Sequence, residues 1–202
     1  MKLNFKILLI IMLSFVSCSK RITLEDYANN LFEASYPDSI VTAFVDTTSN
    51  YPPDKRLSIF YNFLLTNWTY LEDDNENDFV NNASNIISEN KFVGDCDDFC
   101  SVLMACCRSI NLTANFCLGE SIENKNKGHV WVEVIICSIN SFDKDLENRL
   151  YNIFSKNSNY ENIYIYNRDS LVFLSLNPFE MTKNYKLTHI VNNEGKLIKI
   201  KD

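Results

Sequence analysis

The stretch Gly94-Asp95-Cys96-Asp97-Asp98-Phe99 sets a thiol where a run with helical periodicity begins. A cysteine at a helix start meets the positive end of the helix dipole and free backbone N–H groups, which favour the nucleophilic thiolate. Asp95, Asp97 and Asp98 pull the other way, because nearby negative charge raises a thiol pKa. A working thiolate therefore needs a further partner, ideally an imidazolium. The chain has two histidines. His129 follows Gly128 at the mouth of a β-branched run, beside a Lys/Asn/Gly loop, and reads as an accessible base. His189 falls in a late hairpin with no assignable polar neighbourhood and reads as a surface or core residue. A base also needs an orienter. Asn177 ends an apolar strand and precedes Pro178. If that strand pairs with the His129 strand, the Asn177 side chain can accept the imidazole N–H; Asp169 and Glu133 are the carboxylates to test in its place. The Cys96 backbone N–H is a natural oxyanion donor. Upstream, Tyr70 or Trp68 offers a side-chain donor, Tyr70 preferred, though both also read as core aromatics.

These residues need elements to hold them. Thr23 to Asp26 has the form of a capping box, followed by Leu24, Tyr27 and Leu31 at helical spacing. Pro53-Asp54 opens a second helix, with Leu57, Phe60, Tyr61, Leu64 and Leu65 on one face and an end near Trp68. A third helix is predicted over Asp78 to Glu89, and a fourth from Cys96 to Ile110 after a break at Gly94. The period then changes. Thr113–Leu118 and Val130–Ile136 read as strands, with His129, Trp131 and Glu133 on one face of the second and Val130, Val132 and Val134 on the other. Asp143–Phe154 reads as a helix. Ile163–Tyr166 and Leu171–Leu176 flank the polar turn Asn167–Ser170, and Leu187–Val191 and Lys196–Ile200 flank Asn192–Gly195, giving two hairpins. Helices first and an antiparallel sheet second make the chain α+β.

Composition narrows the class. Apolar residues are 46% and charged residues 22% of the 202, which is globular, and the net charge of −7 argues against a nucleic-acid surface. Seven cysteines occur, at 18, 96, 100, 106, 107, 117 and 137. Cys100, Cys106 and Cys107 fall in the fourth helix among apolar residues and read as small buried side chains, so a three-disulfide framework is not expected. Cys96 and Cys100 have the wrong spacing for zinc. Asp73, Asn75 and Asn77 alternate as in a calcium loop, but Asp78 and Ser84 stand where Gly and Glu are needed. Neither a metal nor a cofactor is expected.

The N-terminus reads as a targeting signal. Lys2 and Lys6 precede the short apolar run Ile7–Val16, and no acid occurs before Glu25. Phe15-Val16-Ser17-Cys18 resembles the lipobox of bacterial lipoproteins. The resemblance implies cleavage after residue 17, lipid on Cys18, a tether over 18–23 and a single domain over 24–202. It also implies a bacterial cell envelope location, the outer membrane favoured because residue 19 is not Asp, with the membrane as one partner.

Three motifs in order, Gly-x-Cys-x-Asp at 94–98, Gly-His-x-Trp-Val-Glu-Val at 128–134 and Leu-Asn-Pro at 176–178, resemble the transglutaminase-like superfamily over about residues 68–180. The resemblance implies a papain-like α+β core with the nucleophile helix packed on an antiparallel sheet. It implies Cys96 as nucleophile, His129 as base and Asn177 at the position usually held by Asp. Asn can orient an imidazole but supplies no charge to stabilise imidazolium. The implied activity is that of a cysteine hydrolase or acyltransferase on amide bonds of a peptide or protein substrate, hydrolysis favoured; the rival is an inactive binding or scaffold lipoprotein. Residues 138–160 read as a helical insertion that covers the site or binds a partner.

Overall fold

The computed structural model describes residues 22–73, 80–125, 127–154, 163–178 and 184–200. The signal segment, Cys18, and Asn75, Asn77 and Asp78 of the acidic loop lie outside the described residues. Among the described residues no helix is long and apolar enough to cross a membrane.

Helices come first. α1 (Leu24–Ala34) starts at a reciprocal capping box, the Thr23 hydroxyl and the Asp26 carboxylate each accepting the other's backbone N–H. α2 (Ser39–Asp46) follows, N-capped by Asp38, whose side chain accepts the Ile40 and Val41 N–H groups. Sequence reading missed it: four of its eight residues, Ile40, Val41, Thr42 and Val45, are β-branched, which masks the helical signal. α3 (Pro53–Asn67) starts with Pro at its first turn and buries Leu57, Phe60, Tyr61 and Leu64. The helix expected from Asp78 is shorter, α4 (Ala83–Glu89), because the Asn82 side chain accepts the Ser84 N–H and fixes the start there. α5 (Cys96–Ser109) is apolar on nearly every side and sits at the centre of the core, where Phe99, Val102, Leu103 and Cys106 are fully buried.

Two short strands, β1 (Thr69–Tyr70) and β2 (Val93–Gly94), pair in parallel just before α5. The main sheet has six strands: β3 (Ala114–Ser121), β4 (Gly128–Ser138), β5 (Ile163–Arg168), β6 (Leu171–Leu176), β7 (Tyr185–Val191) and β8 (Leu197–Lys199), in the order β5-β6-β4-β3-β7-β8 with every pair antiparallel. Both expected hairpins form. The first closes on Asp169 and Ser170, both at positive φ (51° and 65°), which suits a tight two-residue turn.

Sheet and helices make two layers. Val130, Val132 and Val134 of β4 face α5 and the core, while Cys117, Trp131 and Tyr185 form a separate cluster on the other face. That outer face also holds a buried charge. Fully buried Glu133 accepts hydrogen bonds from Asn115 (2.8 Å), the Tyr166 hydroxyl and Arg168, and the Arg168 guanidinium lies 4.4 Å from the Phe173 ring centre. The expected insertion helix is α6 (Lys144–Phe154). It packs against α3, bringing Phe154 to 6.3 Å from Tyr61 between ring centres, and buries Leu150. It borders a hollow of about 520 Å³ together with Leu57, Val134 and Leu174. It therefore extends the core and does not line the groove described next. The six described cysteines are all free.

Candidate active site

Cys96 is the first residue of α5, and its N-cap is Asp95, whose carboxylate accepts the Asp97 N–H at 3.1 Å. Gly94 precedes them at φ +150°, where a side chain would also run into Asp98. The Gly94 carbonyl accepts the Trp68 indole N–H (3.0 Å) and the Leu71 N–H (3.0 Å), so β1 braces the turn into α5. The indole of Trp68 is thus committed to structure. Tyr70 lies opposite Gly94 on β1 and is half exposed; it is not among the described residues lining the groove.

His129 stands near the start of β4, opposite Gly119 of β3. Its ring packs against Tyr185 (4.7 Å between centres) and Trp131 (6.1 Å) and is buried at 7% exposure, not the open loop-side residue that its neighbours in sequence imply. The sheet covers its outer face with its own aromatic side chains. Gly119 is required there, because a Cβ would come within 2.7 Å of the Trp131 ring.

The antiparallel pairing of β4 with β6 sets Val132 against Leu176, so Asn177 follows at the level of the histidine end of β4. Asn177 is fully buried, and its Oδ1 lies 2.9 Å from His129 Nε2. An amide oxygen can only accept, so Nε2 donates in this contact, and in the neutral ring Nδ1 is then the nitrogen that carries the lone pair. The Tyr61 hydroxyl donates to the Asn177 carbonyl at 2.7 Å, fixing its backbone from the helical layer. The alternatives stand elsewhere. Asp169 is in the turn at the far end of β6, and Glu133 is engaged with Asn115, Tyr166 and Arg168.

Cys96 and His129 line one groove of about 530 Å³, shared with Tyr27, Asp95, Asp97 and His189. The sulfur is near enough to the residue after His129 to take a hydrogen bond from the Val130 backbone, which favours the thiolate; burial first, then Asp95 and Asp97, outweigh this and hold the thiol pKa well up. Asp97 is pushed up to about 9, mainly by burial and then by Asp95, against a hydrogen bond from the Tyr27 hydroxyl (2.7 Å). Burial also raises Asp98, opposed by hydrogen bonds from the Asn81 N–H (2.7 Å) and side-chain amide (2.9 Å). Asp95, Asp97 and Asp98 place ligand atoms within 4.8 Å of one another.

Two groove residues escaped the sequence reading. His189 faces the groove because β7 pairs with β3, Leu118 opposite His189, followed by a register shift at Leu118/Gly119. Nothing local signals that pairing. Tyr27 has clear helical spacing, but its Asp97 partner is 70 residues away.

A family model described as the transglutaminase-like superfamily matches residues 42–147, just over half of the chain, including Cys96 and His129 but not Asn177. Among solved structures, that of a candidate cysteine protease from Cytophaga hutchinsonii is similar at 16% identity and a TM-score of 0.39, over 52% of this chain and 37% of that one. The chain thus spans well under half of that protein's length. No curated protein matches.

Proposed function

The chain belongs to the transglutaminase-like superfamily, and from that membership we propose a cysteine hydrolase or acyltransferase acting on amide bonds of a peptide or protein, anchored in the bacterial envelope by lipid on Cys18. The observation that carries the reading is the shared groove: Cys96 at a helix start and His129, backed by Asn177, open onto the same space.

In this reading His129 Nδ1 takes the proton of the Cys96 thiol, and the sulfur attacks the amide carbon. The carbonyl oxygen becomes an oxyanion, met by the Cys96 backbone N–H. The C–N bond breaks as the imidazolium returns its proton to the leaving nitrogen, and a thioester remains. Water, deprotonated by His129, attacks the thioester and releases a carboxylic acid and the thiol. An amine in place of water gives transfer. Asn177 keeps the imidazole in the tautomer this cycle needs.

One observation favours the rival, a binding scaffold without chemistry: burial and two carboxylates hold Cys96 in its thiol form. Alkylation separates the two. Cys96 is expected to react with iodoacetamide faster than the buried Cys100, Cys106, Cys107 and Cys117, its rate rising into the alkaline range because its pKa is raised. His129→Ala is expected to slow it several-fold near neutral pH. Mass spectrometry that finds Cys96 inert while another cysteine labels first overturns the enzyme reading.

A further inference from the structure

Exposed apolar side chains scattered singly carry no message, but several gathered at one place do. Among the described residues the four most exposed leucine and isoleucine side chains are Ile122 (64%), Leu71 (62%), Ile22 (51%) and Leu24 (44%). All four stand at the groove that holds Cys96. Ile22 and Leu24 line it. Ile122 lies two residues beyond Glu120, another lining residue, in the turn from β3 to β4. The Leu71 N–H donates to the carbonyl of Gly94, two residues before Cys96.

The tether arrives at the same place. From Cys18 to Ile22 the chain takes four residue steps, which span at most about 14 Å when fully extended. The helix it leads into is clamped to the cysteine helix at both ends. Near the start of α1 the Tyr27 hydroxyl donates to Asp97, next to Cys96, at 2.7 Å. At its other end the Arg108 guanidinium of α5 donates to the carbonyls of Phe32 and Ser35, each at 3.1 Å. However the body turns, the groove wall at Ile22 therefore stays within about 14 Å of a lipidated Cys18.

We propose that the mouth of the groove docks on the membrane that anchors Cys18, with Ile122, Leu71, Ile22 and Leu24 meeting the lipid interface, and that the substrate is a polypeptide itself held at that bilayer. This rests on the reading of Cys18 as lipidated and of Cys96 as nucleophile. The anchor keeps a bilayer within reach of these side chains, so burying them in its interface costs no further search in solution. A substrate fixed to the same membrane gains in the same way. It meets the groove at a high effective concentration, whereas a soluble polypeptide has to enter between groove and lipid.

The test needs no known substrate. The mature protein, lipidated at Cys18, is reconstituted in phosphatidylcholine vesicles with or without bromine on the acyl chains. Ile122→Trp reports on the groove end. Ile139→Trp reports on the far end, since Ile139 is also exposed and follows β4, an eleven-residue strand about 35 Å long. Emission is read as the difference from wild type, because Trp68 and Trp131 also emit. Bromine is expected to quench the tryptophan at 122 by about twofold, as for a side chain at the headgroup–acyl boundary, and to leave the one at 139 unchanged. Two native cysteines, both half-buried, supply a second reading: Cys96 at the groove and Cys137 near the far end of β4. A maleimide carried on a phosphatidylethanolamine headgroup is expected to favour Cys96 over Cys137 by about tenfold more than soluble N-ethylmaleimide does, as read by mass spectrometry. Equal quenching at the two tryptophans, or the same cysteine ratio with the two maleimides, overturns the inference. A Cys18 that carries no lipid overturns it together with the anchor and leaves the chemistry of the groove intact. A Cys96 inert to both maleimides, with quenching confined to the tryptophan at 122, supports the docking surface and sinks the nucleophile.

Discussion

Asn177 is proposed to stand where the resemblance to the family implies an acid, and its contacts make that departure testable. Its Oδ1 accepts from His129 Nε2, so it orients the ring without adding charge. Asn177→Asp supplies an anion 2.9 Å from the imidazole, which favours imidazolium and raises the His129 pKa. Activity is expected to be kept or raised, with the acidic limb of the pH–rate profile moving to higher pH. Asn177→Ala is expected to lower kcat by about tenfold or more while Cys96→Ala abolishes turnover, because an orienter makes no bond to the substrate. Unchanged kinetics in both Asn177 variants would remove it from the mechanism.

Elements were legible in proportion to how local their causes are. The capping box of α1, the proline start of α3 and the β-branched run of β4 each declare themselves within a few residues, and all three appear in the structure. The helix carrying Cys96 was readable in the same way. What failed was non-local. α2 is held by two buried valines, Val41 and Val45, in a β-branched segment, so tertiary packing overrides its propensity. His189 reaches the groove through strand pairing, and the burial of His129 depends on Tyr185, 56 positions later in the chain. The outer face of the sheet shows a similar long-range dependence. Arg168 comes from the β5–β6 hairpin to meet buried Glu133 of β4. Arg168→Ala leaves that carboxylate without its cation and is expected to cost about 3 kcal/mol of stability, measured by denaturant unfolding. A loss under 1 kcal/mol would mean that Asn115 and Tyr166 suffice.

At the scale of the whole molecule, a two-layer domain is joined to a proposed membrane anchor. Metabolic labelling with an alkyne fatty acid is expected to mark the native protein and not Cys18→Ala; equal labelling of both removes the lipoprotein reading. The two layers also divide the chemistry between them, since Cys96 belongs to the helices and His129 and Asn177 to the sheet. They are pinned together beside the site by the hydroxyl of Tyr61, which reaches from α3 to the carbonyl of Asn177. Slippage of one layer over the other would have to break that buried bond before it could separate sulfur from imidazole. The hydroxyl therefore works as a rivet: it limits fluctuation at the seam, and the residue that decides how steadily the site is held lies 35 positions before the cysteine, in a helix that supplies nothing to the groove itself.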